Sequence, residues 1–438
     1  MHTSPTTTRP TANTTANTTA TTTRKAHHAG THRTVAPEET LKRITPLLPA
    51  MGITRVANVT GLDRVGIPVV MVTRPNSRSV SVSQGKGTTL TAAKVSGIME
   101  AIEGYHAERV LLPLKFASFE ELRYTHQVVN VYALPRVGCS TFTPHTPLLW
   151  TEGRSLVTGQ PVWVPFETVH LNYVSPMPTG SGCFIASSNG LSSGNTLEEA
   201  ISHGISEVVE RDAATLWHRM DADARAKTRV DLATVLDGWC CDLIKRFDAA
   251  GIDIGIWDIT SDIGLPAILC RAVPRDGTVH GFRPAVGMGC HPAPEIALSR
   301  ALTEAAQSRL TFISGARDDM PRSEYEHFLD AGVHKRWQSM LHDETPQRSF
   351  QDVGGLATES ISADIRREVT RVMECGGEDV IVVDLTKTEF GIPVVRVIIP
   401  GLEGIDHSSE YVPGRRALGR ATNDSAVIRS MPAAGRAA

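Results

Sequence analysis

The chain has 438 residues, 41% hydrophobic and 21% charged, with a formal net charge of -3; that suits one large globular domain or two to three ordinary ones. So small a net charge gives no basis for nucleic acid or an anionic membrane surface as a partner, and no apolar run approaches the roughly 20 residues a bilayer-spanning helix needs. The N-terminus lacks the apolar core of a secretory signal, and the seven cysteines, odd in number, form no Cys-x-x-Cys pair; this argues against a disulfide framework or a structural zinc site and makes a reducing cytoplasm the expected compartment.

Residues 1–30 are low in complexity, with twelve threonines in the first 23 positions and no Val, Leu or Ile. Such a stretch cannot bury enough apolar area to offset its ordering entropy and is expected to be a disordered tail. Ala36-Pro37-Glu38-Glu39-Thr40-Leu41 then opens an amphipathic helix with Leu41, Ile44, Leu47 and Leu48 on one side. Strands are expected at 53–59, 65–72 and 79–84, the last broken by Gly85-Lys86-Gly87, before a helix over 91–110. Residues 113–185 are rich in proline, with strand-like runs at 128–132, 148–151 and 162–165. A Ser/Gly/Asn loop (186–195) leads into a long helix, 197–217. Helices at 232–250, 293–313 and 361–374 and strands at 254–259, 267–273, 379–385 and 394–399 complete the pattern. Residues 318–358 are charged and read as a peripheral insertion, and residues 406–438 as a C-terminal tail. The lack of a regular βαβ rhythm predicts a mixed α/β, or α+β, fold over a doubly wound parallel sheet. A weak internal echo, strand then glycine-rich loop then glutamate-bearing helix, joins 79–108 to 183–214.

The chemistry sits on the helices. Residues three or four apart on a helix are neighbours, so Ser96, Glu100 and Glu103 share one face, and Asn195, Glu199, Glu207 and Glu210 another. Few basic residues balance these acids, and apolar residues flank them closely. Stacked carboxylates of this kind repel unless a cation relieves them, and hard oxygen ligands suit Mg. The competing reading is a pair of solvent-facing acidic stripes. Glu103-Gly104-Tyr105-His106 also matches the Glu-x-x-His of di-iron bundles, but the second helix offers His203 and Glu207 only in reverse order. Ser83-Gln84-Gly85-Lys86-Gly87 lets backbone and Lys86 approach a phosphate, without being a P-loop. On a third helix Arg300, Glu304 and Gln307 share a face, and arginine suits phosphate oxygens. His170, His203, His218 and His291 read as structural histidines.

These motifs together, above all Ser188-Asn189-Gly190-Leu191-Ser192-Ser193-Gly194-Asn195-Thr196 leading to Glu199, Glu207, Glu210, Arg211 and Asp212, resemble the YcaO family over most of residues 31–405. The resemblance implies ATP and Mg as cofactors, with Glu100, Glu103, Glu199, Glu207 and Glu210 as the metal shell. It implies nucleotide contacts from Arg33, Thr40, Lys86, Ser96, Asn195, Arg211, Arg300 and Glu304. It also implies ATP-dependent activation of a peptide backbone amide: a nucleophile adds to the carbonyl, the oxyanion takes a phosphoryl group, and phosphate leaves. External sulfide, usually with a TfuA-like partner, gives a thioamide; a Cys, Ser or Thr side chain gives an azoline; an amine gives an amidine. Two departures stand out. Gly104 replaces the arginine that follows the second glutamate in many relatives, and the residues after Pro413 hold a single further proline, Pro432, where the azoline-forming branch often ends proline-rich. The expected activity is therefore thioamide formation on a peptide or protein substrate. Azoline formation and a non-catalytic accessory role for a methylthiotransferase remain alternatives, and a homodimer is left open.

Overall fold

A computed structural model describes residues 23–275, 284–317, 319, 320, 322, 326, 331–343, 345–404 and 411–419. Residues 1–22 of the threonine-rich tail, most of 318–330, and 406–410 and 420–438 of the expected C-terminal tail lie outside the described residues.

The N-terminal part comprises helix α1 (Pro37–Ile44), strands β1 (Arg55–Asn58), β2 (Val69–Thr73) and β3 (Val82–Lys86), and helix α2 (Leu90–Glu108). The three strands form an antiparallel meander with Arg55 opposite Thr73 and Val69 opposite Lys86. Thr89 caps α2 by accepting from the Ala92 N–H. β3 runs on through Gly85 and Lys86, where the sequence suggested a break. The glycine is there because the helix backbone lies directly on the strand: a Cβ at Gly85 would sit 2.0 Å from the Ala93 carbonyl oxygen.

The middle of the chain supplies β4 (Leu114–Ala117), α3 (Phe119–Leu122), β5 (Leu148–Ser155), β6 (Pro161–Pro165), β7 (Leu191–Ser193) and the long helix α4 (Leu197–His218), capped by Thr196. Next come α5 (Ala222–Ala226), β8 (Arg229–Asp231), α6 (Gly238–Ala249), β9 (Ile252–Asp258), β10 (Ala267–Pro274), β11 (Ala285–Cys290) and α7 (Pro294–Ser314). The chain continues with α8 (Ala331–Asp343), β12 (Arg348–Ser349), α9 (Ile361–Glu374), β13 (Ile381–Asp384), β14 (Val394–Ile398) and α10 (Arg415–Leu418). Among the described residues, two further sheets run β11-β10-β9-β8-β12 and β4-β5-β13-β14-β7, with β6 paired to β5. Every described ladder is antiparallel except β8 with β12. The fold is α+β, as the irregular rhythm predicts.

α4 is the central element. Ile205, Val208, Val209 and Ala213 pack with Trp257, Leu269, Val286 and Val397. α6 and α7 cover the opposite face of the β9–β10 sheet through Leu243, Phe247, Leu298 and Leu302.

Several expectations change here. Residues 23–30 are ordered against α9, where Lys25 is buried beside Asp364; polar anchors do the work that apolar burial could not. Residues 331–358 are built into the fold, because Trp337, Leu341 and Phe350 are buried in the cores and β12 extends a sheet. Tyr411 and α10 pack back on the fold through Glu403 and Asp212. The run 128–132 forms a bridge at Val128 and a helical turn in place of a strand. The helix expected from 232 starts at Gly238, where Asp237 caps it. β11 escapes the sequence because Gly287 and Gly289 dilute its apolar pattern, and both are needed where α7 rests on it: a Cβ at Gly287 would lie 2.1 Å from the Ala301 carbonyl oxygen. Gly287→Ala is therefore expected to lower stability by about 3 kcal/mol, read as a lower urea midpoint at unchanged slope.

A second stability prediction concerns Glu368 on α9, 1% exposed, which accepts from Ser202 and Ser206 of α4 at 3.1 and 3.4 Å. Burial raises its pKa to about 8, and Asp364 adds to the rise while the two serines and Lys25 oppose it. The folded state thus holds this proton more tightly than the unfolded chain. Its contribution is complete below the ordinary carboxylate range and is lost as pH climbs towards 8. Glu368→Gln should leave the melting temperature nearly unchanged at pH 5 and raise it at pH 8 relative to the unsubstituted protein.

Candidate active site

Two strand-to-helix junctions, β3–α2 and β7–α4, and the face of α7 surround a cavity of about 440 Å³. It is lined by all thirteen residues singled out as metal or nucleotide contacts: Arg33, Thr40, Lys86, Ser96, Glu100, Glu103, Asn195, Glu199, Glu207, Glu210, Arg211, Arg300 and Glu304. None of the seven cysteines lines it, so no thiol serves as a nucleophile from its walls.

Glu100 and Glu103 come from α2, Glu207 and Glu210 from α4. Burial raises Glu100 to about 7, with Lys86 opposing. Burial raises Glu103 to about 8; Glu100 and Glu207 push it further up, and the Ser193 hydroxyl, donating at 2.6 Å, pulls it down. Glu207 rises to about 7 through burial, opposed by Arg211 and reinforced by Glu210. Glu210 is raised by burial against the pull of Arg211, 3.6 Å away. Four acids raised in this way, each chiefly by burial, converge from α2 and α4 on one cavity, a clustering typical of a functional site.

Glu199 is different. Its Oε1 accepts from the Thr34 N–H at 2.5 Å and hydroxyl at 2.6 Å; its Oε2 accepts from the Asn195 N–H at 2.8 Å and side-chain amide at 3.0 Å. Burial would raise its pKa, but Arg33 and these donors lower it. A carboxylate offers about four lone-pair directions, and here four donors from Thr34 and Asn195 meet them. It acts as a clasp between α4 and the segment before α1.

The facing wall is α7. Lys86 Nζ donates to Glu304 at 2.5 Å, which outweighs burial and keeps Glu304 low. Arg300 lies 3.0 Å from His203 Nδ1. The Thr40 hydroxyl donates to Asn195 Oδ1 at 2.8 Å, and Ser96 Oγ accepts from the Lys86 N–H at 3.4 Å.

Sequence reasoning passed over several neighbours. Ser193 and Gln84 lie inside motifs that carry no signal for either residue, and His203, expected to be structural, lines the cavity. Arg396 sits unannounced in the apolar strand Val394–Ile398. It is 1% exposed, and its guanidinium donates to the carbonyls of Val169, Ser187 and Asn189 at 2.8 to 3.3 Å. It thereby fixes the loop leading into β7 from behind Glu103 and Glu207. At Gly104 the helix leaves room for Arg74: a Cβ there would lie 2.9 Å from Arg74 Nη2, which donates to Glu108 at 2.6 Å.

Residues 84–403 match the family model described as YcaO cyclodehydratase, ATP- and Mg2+-binding. The chain belongs to the YcaO family. Among its relatives is a Rhizobium leguminosarum bv. trifolii protein named for its place in the tfuA 3′ region. The two are 36% identical over 392 residues, which is 88% of this chain and 92% of that one. Among solved structures, YcaO from Methanopyrus kandleri, bound with AMPPCP and Mg2+, is 26% identical with a TM-score of 0.70, covering 87% of this chain and 95% of the other. A heterocyclase in complex with substrate and cofactor shares the fold at 24% identity and a TM-score of 0.72; the match covers 90% of this chain and 55% of that longer one.

Proposed function

We propose that this chain binds ATP with Mg and phosphorylates the oxygen of a peptide backbone amide, forming a thioamide with sulfide and a TfuA-like partner protein. The observation that carries the reading is the set of four carboxylates, two from α2 and two from α4, that line one cavity beside Lys86, Arg211 and Arg300, each with its pKa raised chiefly by burial. Among the described residues no group of three or more acidic, histidine or cysteine side chains is placed to hold a metal ion by itself, so phosphate oxygens and water would have to complete the shell. The donor set fits Mg, which binds through one or two carboxylates and completes its shell with phosphate oxygens and water. Held there, Mg would supply positive charge to offset the charge developing on the transferred phosphoryl group. Glu100, Glu103, Glu207 and Glu210 are the residues to hold it. Arg300, Arg211 and Lys86 face the phosphates, with Lys86 Nζ paired to Glu304 at 2.5 Å. Thr40 and Asn195 position the rest of the nucleotide, and the walls exclude water from the reacting amide.

The chemistry balances. Hydrosulfide adds to the amide carbon; the oxyanion takes the γ-phosphoryl group of ATP as ADP departs; loss of phosphate and a proton then leaves C=S where C=O stood. The relative from the tfuA region supports the choice of sulfide as nucleophile. The cyclodehydratase description of the family keeps a second reading alive, in which a Cys, Ser or Thr side chain of the substrate attacks and an azoline results.

The test is mass spectrometry of candidate peptides incubated with the purified chain, TfuA-like partner, ATP, Mg and sulfide. A product in which one sulfur replaces one oxygen is expected. Loss of one water would establish the azoline reading instead. Absence of any Mg-dependent ATP turnover would overturn both and favour a binding role.

A further inference from the structure

The segment ahead of α1 lies outside the residues matched by the family model and carries a latch of its own. The Ile361 N–H donates to the Thr23 carbonyl at 2.9 Å, the Thr23 N–H donates to Ser362 Oγ at 3.0 Å, and Arg24 bridges to Ser360. Lys25 is the anchor. Its Nζ lies 2.6 Å from Asp364 Oδ2 and donates to the Thr358 carbonyl at 2.6 Å, and the paired side chains are 1% and 3% exposed. The other oxygen of Asp364 accepts from the Thr358 N–H and hydroxyl at 2.6 and 2.8 Å, so the pair is buried with its polar groups spoken for.

From this anchor the chain turns through a small hairpin. The Ala26 and His27 N–H groups donate to the Arg33 carbonyl at 2.9 Å, and the Arg33 N–H returns to the His27 carbonyl at 3.0 Å. Its tip touches the opposite wall: a Cβ on Gly30 would lie 3.2 Å from Thr88, just before α2. His27, Gly30, Thr31 and Arg33 line the cavity. Beyond the hairpin, Thr34 closes on Glu199. The hairpin therefore spans the cavity between two polar anchors, Lys25 with Asp364 and Thr34 with Glu199.

We infer that residues 25–34 form a lid over the nucleotide end of the cavity, with Lys25 a positioning residue that holds Arg33 and Thr34 at Glu199. The inference rests on the nucleotide reading proposed for the cavity. Hydrogen-bonded anchors with little apolar area beneath them open locally without unfolding the core, which suits a segment that must lift for each exchange. A buried ion pair adds little net stability but fixes geometry, and removing one partner alone strands a charge. The test therefore removes both.

Lys25→Met with Asp364→Leu should fold, and two measurements decide the case. Without nucleotide, amide hydrogen exchange at Ala26, His27 and Arg33 should be roughly tenfold faster or more than in the unsubstituted protein, while core amides stay unchanged. With Mg and a fluorescent ATP analogue, chase-induced release should also be at least about tenfold faster, with KM for ATP rising more than kcat falls. A hairpin equally protected in both proteins overturns the latch. Release unchanged from a loosened hairpin overturns the lid alone. An unsubstituted protein that binds no Mg–ATP analogue overturns the nucleotide reading together with the lid.

Discussion

Glu207→Gln combined with Glu210→Gln is expected to reduce Mg-dependent ATP turnover by at least about a thousandfold, because phosphoryl transfer draws its rate from electrostatic clamping and positioning. The two side chains project from one face of α4 into the cavity, where burial already disfavours their charge. Glutamine keeps shape and hydrogen-bonding capacity while removing the charge that would hold a divalent ion. The same change should leave the fold intact, since glutamine fills the same space and Arg211 keeps Glu304 as a neighbouring acid. Isothermal titration with Mg and an ATP analogue, run beside a thermal melt, separates the two effects. Full turnover in the double variant would end the proposed site. Glu199→Gln is the informative contrast. With its oxygens occupied by Thr34 and Asn195, its loss should weaken nucleotide binding more than it alters the Mg requirement.

Arg416→Ala is expected to destabilise the protein by about 3–5 kcal/mol, the range for stripping a buried charge of its partner. Arg416 holds Asp212 through two bonds of 2.9 Å, and the Asp212 side chain is fully buried. Asp212 also accepts from the Glu403 N–H at 2.9 Å, and Arg416 Nη1 donates to the Cys375 carbonyl at 2.6 Å. Burial pushes the Asp212 pKa up and Arg416 is what opposes it. The second carboxylate on Arg416, Asp262, is half exposed, so its pairing adds little. Urea unfolding gives the number. Arg415→Ala, whose side chain makes one 3.4 Å bond at the surface, serves as a control with an effect below about 0.5 kcal/mol. A loss below about 1 kcal/mol for Arg416→Ala would show that α10 merely rests on the fold.

The legible parts of the sequence were those where one local rule decides. α2, α4 and α7 are long, and Thr89 and Thr196 stand as caps at the starts of α2 and α4. Acids three apart on such helices must share a face, so the grouping of Glu100 with Glu103 and of Glu207 with Glu210 followed from periodicity. What stayed hidden depends on partners far along the chain. Glu199 looks like its neighbours in sequence, and only Thr34, 165 residues away, reveals it as a clasp. Lys25 sits in a threonine-rich tract whose composition argues for disorder, and its partner is 339 residues on, at Asp364. Arg396 interrupts a run of valines and isoleucines, and its reason is three carbonyls, Val169 on one segment and Ser187 and Asn189 on another. β11 is masked by the very glycines that let α7 rest on it.

The exchange at Gly104 has a bearing on how such proteins are compared. A column-by-column alignment would score this position as a forfeited cation, and a repair-minded engineer would put the arginine back. In three dimensions the space beside Gly104 is taken by the guanidinium of Arg74, which both oxygens of Glu108 hold. Any side chain placed at 104 would first have to displace that pair. The two positions are therefore bound together, and a change at one is to be weighed only with the other.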